Sequence, residues 1–112
     1  MGGYQPSSAH QSVSYVSAHD NYTLWDKLVH TLTDSMEPDF GAYNEVALAQ
    51  NRLAAGIYFT CLGITFLQAG EEAARTKYGD DNSYRSPDSV NSLKWATLDK
   101  PNIRTFSATI RA

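Results

Sequence analysis

"NEVALAQNRLAAGIYFTCLGITFLQA", residues 44 to 69, decides the fold. It opens on Asn44, whose side chain suits the free N–H groups of a first helical turn. Glu45 follows where the helix dipole favours an anion. Val46, Ala49, Leu53 and Ile57 recur at three- and four-residue spacing, which predicts one apolar stripe on a helix over about 44–62. The second half of that helix, "GIYFTCL", is apolar all round and predicts burial on several sides. Gly63 is expected to end the helix, and "ITFLQA" (64–69) reads as a fully buried strand.

Working back toward the start, "SVSYVS" (12–17) carries Val13, Tyr15 and Val16 and predicts another strand. Thr23 can cap a short helix through Trp25, Leu28 and Val29, with Asp26 early in it. "TDSMEPDFGAYN" (33–44) is a polar connector holding Pro38 and Gly41. The order is therefore strand, helix, long helix, strand. A strand–helix–strand crossover predicts two parallel strands of one sheet. Parallel sheets need cover on both faces, and two strands alone are marginal in water. The expected fold is α/β, a piece of a larger parallel architecture.

Bulk properties narrow the function classes. Of 112 residues, 42% are apolar and 19% charged, which argues against disorder over the whole length. The net charge is -3, so no basic surface is available for nucleic acid or anionic lipid. The single cysteine, Cys61, lies in an apolar run and is expected to be a buried thiol. "MGGYQPSSAHQSV" has neither the basic nor the apolar region of a signal peptide. The longest apolar stretch is too short and interrupted to span a bilayer. The compartment stays open, cytoplasmic or exported.

Chemistry concentrates after the two strands. In parallel α/β folds, functional groups gather at the carboxyl ends of strands, where loops converge. His19, Asp20 and Asn21 stand at one such end; Gln68, Glu71 and Glu72 follow the other. Alone, His-Asp-Asn is a weak signal, since Asp20 can cap the next helix and His19 can pack. No second histidine sits at metal-ligand spacing, no glycine-rich loop cradles phosphate, and no serine occupies a nucleophile turn. No metal and no cofactor are expected. "NYT" (21–23) matches a glycosylation acceptor by a pattern that arises readily by chance.

The longer match is more specific. "YVSAHDNYTLWDKL" (15–28) and "RLAAGIYFTCLGITFLQAGEEAARTKYGDDNSYRSPDSVNSLKW" (52–95) resemble the C-terminal part of the catalytic domain of type I pullulanases. These are α-glucan debranching enzymes of glycoside hydrolase family 13, the α-amylase superfamily. The resemblance covers about residues 13–95 and implies a partial (β/α)8 barrel: its seventh strand, the following helix and its eighth strand. It implies that Asp20 is the third catalytic carboxylate, which holds sugar hydroxyls and favours the distorted ring. It makes His19 a sugar hydrogen-bonding residue of the neighbouring subsite and Asn21 part of the same motif. An oxocarbenium-like transition state gains from such charge and hydrogen bonds.

In the family, the nucleophile and the general acid lie on earlier strands, so the resemblance implies one edge of an active site. Glu71 and Glu72 are adjacent and are expected to be structural or helix-starting. In the loop "TKYGDDNSYRSPDSVNSLKW", the resemblance makes Asn82, Tyr84 and Asp88 candidates for the cleft wall. A solvated loop rich in turn formers is the plain alternative. Trp25 and Trp95 read as packing residues. Residues 1–12 read as a loop, and "ATLDKPNIRTFSATIRA" (96–112) departs from the family, as a truncated or replaced end would.

The implied parent activity is retaining hydrolysis of α-1,6 branch linkages in pullulan- or starch-type glucans. Isoamylase-type and glycogen-debranching enzymes are the rivals within the class. A non-catalytic α-glucan-binding remnant or an inactive fragment is the rival from another class. An unrelated nucleotide-binding domain would lack its phosphate loop. The expected partner is an α-glucan polysaccharide, with self-association through exposed strand faces.

Overall fold

A computed structural model describes residues 5–33, 37–104 and 108. Parts of the expected leading loop, the 33–44 connector and the tail (1–4, 34–36, 105–107 and 109–112) lie outside the described residues. The chain forms a small mixed α/β unit. Strand β1 (Val13–Ser14) lies parallel to strand β2 (Ile64–Thr65), with Val13 opposite Ile64 and Ser14 opposite Thr65. Helices α1 (Leu24–Leu32) and α2 (Glu45–Thr60) make the crossover between them.

Both long helices begin where cap chemistry places them. Thr23 Oγ1 accepts from Asp26 N at 3.1 Å, and Asn44 Oδ1 accepts from Ala47 N at 2.9 Å. These bonds satisfy backbone donors that have no partner inside the helix. At its far end α2 stops at Thr60, two residues before the expected limit. Gly63 then takes φ of 108°, and a Cβ there would meet the carbonyl oxygens of Ala9 and Ser12 at 2.8 Å. Glycine is what lets the chain pass so close to the turn before β1.

The strands are shorter than 12–17 and 64–69. Each contributes two residues to the ladder, extended only by Ile64 N to Ser12 O and Phe66 N to Ser14 O. With a single neighbour apiece, the flanking extended residues have no further strand to pair with. Two strands do not close a barrel.

Burial also departs from expectation, and for a related reason. The buried face of α2 is Ala47, Leu48, Asn51, Ala55 and Tyr58. The predicted stripe faces water instead: Val46, Leu53 and Ile57 are 57%, 64% and 57% exposed. Because α2 is apolar on more than one side, only the side that meets another element is covered. Cys61, expected to be buried, is exposed, as are Ile64 and Phe66 of the supposedly buried strand. Trp25 packs as expected, whereas Trp95 is 61% exposed.

The core sits between the helices and the segment after β2. Trp25 and Val29 of α1 meet Ala47 and Leu48 of α2, with Ala73, Ala74 and Ile103 closing it. Asn51 is fully buried on the inner face of α2, and neither of its amide atoms has a hydrogen-bond partner. Among the described residues, no helix is long and apolar enough to cross a membrane.

Candidate functional site

β1 leads into residues 15–21 and α1 starts three residues later, so the turn between them is tightly constrained. Asn21 takes φ of 66°, a left-handed conformation that a short polar side chain tolerates. Its Oδ1 accepts from the N–H of Tyr22 at 2.8 Å. The turn presents His19 and Asp20 outward with Nε2 and Oδ2 3.3 Å apart and side chains 88% and 84% exposed. Such exposure leaves most of their hydrogen-bonding capacity open to a ligand.

The loop after β2 is tied to this turn by Lys77. That side chain is buried, yet its Nζ donates to His19 O at 3.3 Å and to Ser83 Oγ at 3.1 Å. Lys77 is itself held by Asp26, a fully buried carboxylate in the first turn of α1. Asp26 Oδ2 accepts from Lys77 N at 2.9 Å, and Oδ1 accepts from the Thr76 hydroxyl. Asp26 therefore ties the start of α1 to a segment 50 residues away, beyond its expected dipole role.

Ser83 stands between two of the candidate residues. Asn82 is exposed, and its N–H donates to Asp80 Oδ1 at 3.0 Å. Tyr84 is exposed with the Arg85 guanidinium 5.1 Å from its ring centroid. The Ser86 hydroxyl, and then the Asn82 N–H, hold the Asp80 carboxyl below its usual range. The structure thus brings loop 82–84 beside His19–Asn21 through one lysine. Asp88 opens the short helix α3 (Asp88–Asn91) further along, with its side chain exposed.

The adjacent acids part company. Glu71 is 5% exposed and accepts from Ser17 Oγ at 2.6 Å and from Tyr58 OH at 3.0 Å. Burial pushes its carboxyl up from 4.5, against the lowering effect of those two bonds. Burial, and then the neighbouring Glu71 charge, also raise the Tyr58 phenol. Glu72 instead accepts from Gly70 N at 2.9 Å. The pair opens a 3-10 turn, Glu71–Ala73, in which Glu71 meets two side-chain hydroxyls and Glu72 a backbone N–H.

Lys77, Ser83 and the long reach of Asp26 were not among the residues the sequence singled out. The available signal was slight: a threonine–lysine pair between a buried segment and the acidic loop "YGDDNSY" (78–84).

No protein-family model matches the chain. A pullulanase of Bacillus subtilis (strain 168) is 40% identical over 85 residues, 76% of this chain and 11% of that protein. The crystal structure of pullulanase from Anoxybacillus sp. LM18-11, complexed with maltotetraose, superposes with a TM-score of 0.75 at 36% identity. That match covers 93% of this chain and 14% of the solved one. An isoamylase of a Flavobacterium species is 27% identical over 101 residues, 76% of this chain and 13% of that protein. Fold and sequence together place the chain among the debranching glycoside hydrolases. Within that class it belongs with the pullulanases, and it spans 11% of the length of the Bacillus subtilis relative.

Proposed function

We propose that this chain forms one edge of the glucan-binding cleft of a debranching enzyme that hydrolyses α-1,6 branch linkages. In this reading β1 and β2 are the last two strands of a (β/α)8 barrel, and residues 13–95 are the matching part of its catalytic domain. The single observation that carries the proposal is the pairing of His19 with Asp20 on an outward turn, bridged by Lys77 to the loop holding Asn82 and Tyr84. The maltotetraose in the Anoxybacillus structure supports an α-glucan as the ligand class.

Asp20 supplies a carboxylate to the sugar hydroxyls and to the positive charge that develops on the ring. His19 donates or accepts at a neighbouring hydroxyl, and Asn21 fixes the turn that aims both. Asn82 and Tyr84 form the facing wall, with Asp88 at its far end. None of these residues is assigned the proton transfer or the nucleophilic attack. A retaining glycosidase performs those with two carboxyl groups about 5–5.5 Å apart.

Titration of the 15N-labelled chain with maltotetraose tests the reading. Amide shifts at 19–21 and 82–84, weakened in His19→Ala and Asp20→Asn, are expected. Silence at both segments throughout the titration overturns it. Reducing-sugar release from pullulan that disappears in Asp20→Asn would instead give Asp20 a direct part in bond cleavage.

A further inference from the structure

A cavity lined in part by Thr76 and Tyr78 shares none of the proposed cleft residues. It encloses about 240 Å³ and is walled by Trp25, Phe40, Tyr43, Tyr78, Lys94 and Thr97, among others. We propose that it is a second carbohydrate site, taking one glucosyl unit of an α-glucan. The choice of an α-glucan rests on the function proposed above.

Its size and chemistry favour one neutral ring. The volume falls below the roughly 300–1,000 Å³ of pockets for drug-sized ligands, so a single pyranose suits it better than a chain. Tyr43 and Tyr78 are 48% and 50% exposed, leaving aromatic surface open beside the cavity. Such surface sheds water against the C–H face of a sugar while the phenol oxygens meet its hydroxyl rim. Two lysines, Lys94 and Lys100, line the cavity, and the first is already engaged. The Lys94 ammonium already donates to Ser92 Oγ at 2.7 Å, Ser92 O at 3.1 Å and Asp88 O at 3.4 Å, its full complement of three donors. The Trp25 indole N–H is spent on Phe40 O at 2.9 Å.

Two wall residues carry left-handed backbone, Ala74 as the cap of the Glu71–Ala73 turn. Among the described residues, three non-glycine positions take positive φ: Asn21, Ala74 and Tyr78. The last two both line this cavity, at 52° and 55°. A tyrosine in that conformation is strained, and such strain gathers at ligand clamps. Gly79, at φ of 78°, lets the backbone lie against Phe40, whose Cζ would stand 2.7 Å from an added Cβ. Phe40 and Tyr78 both line the cavity.

The decisive variant is Tyr78→Gly, which removes the ring while keeping a residue at home in left-handed backbone. Maltotetraose titration of the 15N-labelled chain should shift the amides of Ala42, Gly79 and Thr97 saturably. In Tyr78→Gly, with peak dispersion retained, the response at Ala42 and Thr97 should weaken about tenfold or more, while the response at 19–21 is unchanged. Asp20→Asn should do the reverse. Shifts confined to 19–21 and 82–84 overturn the second site and leave the proposed function standing. Shifts confined to the cavity sustain the second site and remove the proposed cleft. Wild-type binding at the cavity by Tyr78→Gly overturns the site outright.

Discussion

Lys77 reaches the carbonyl oxygen of His19, 58 residues earlier in the chain, with its Nζ at 3.3 Å. The same nitrogen holds Ser83 Oγ at 3.1 Å. One buried cation thus sets the distance between the two halves of the proposed cleft, and it acts on backbone and loop rather than on the exposed imidazole.

Lys77→Met is expected to keep most of the buried stem's packing while stranding the His19 carbonyl and the Ser83 hydroxyl. Leaving buried polar groups unpaired costs about 1–3 kcal/mol. The unfolding free energy from the urea transition should fall by that amount with an unchanged slope. Shifts at 19–21 and 83 in the free protein should accompany it. A midpoint identical to wild type would show that water or another donor replaces the ammonium without cost.

Glu71 gives the fold a pH dependence with a definite sign. Burial, the largest cause, raises its carboxyl above 4.5 in the folded chain. The folded state therefore binds the proton more tightly than the unfolded one. The stabilisation from this group is fully present below the unfolded value and is lost as pH rises through the folded value. Stability monitored from pH 4 upward should decline over that window, and Glu71→Gln should flatten the decline. Tyr58→Phe removes the hydroxyl that donates to Oε1, so the decline should move to higher pH. A flat wild-type profile would contradict the assignment.

Asp80 acts with the opposite sign. The Ser86 hydroxyl is the first cause of its lowered carboxyl value, followed by the Asn82 N–H. Its contribution is present above 3.8 and lost as pH falls through the folded value. Ser86→Ala should move the Asp80 titration, followed by NMR, back toward 3.8 and shift the Asn82 amide with it.

What the sequence made legible was local. Thr23 and Asn44 announced two helix starts because a cap bonds within three residues of itself. The crossover announced parallel strands, whereas His19 and Asp20 read locally as a packed imidazole and a helix cap as readily as an outward turn. The contact from Asp26 to Thr76 spans 50 residues, and nothing in either neighbourhood specifies the other. The buried face of α2 was equally hidden. Val46, Leu53 and Ile57 make as good an apolar stripe as Leu48, Ala55 and Tyr58. Periodicity counts apolar positions on each side, whereas the placement of α1 and the post-β2 segment selects between them. Asn51, the polar member of the winning side, argued locally against that choice.

The unchosen stripe leads to the last prediction. Leu53, Ile57 and Leu62 are exposed on and after α2, and Val13, Tyr15, Ile64 and Phe66 are exposed around the two-stranded sheet. Apolar surface of this extent on a small chain, next to strands with open edges, favours association with further copies. Sedimentation velocity should show concentration-dependent species larger than the monomer. Leu53→Lys combined with Ile57→Glu should shift the population toward monomer, with the unfolding free energy changed by less than about 0.5 kcal/mol because both sites face solvent. Charge placed on a buried face would instead unfold the chain, so loss of association together with loss of stability would mean that α2 packs on the other side. A wild-type chain that stays monomeric at every concentration would show that these exposed apolar groups do not suffice to drive self-association.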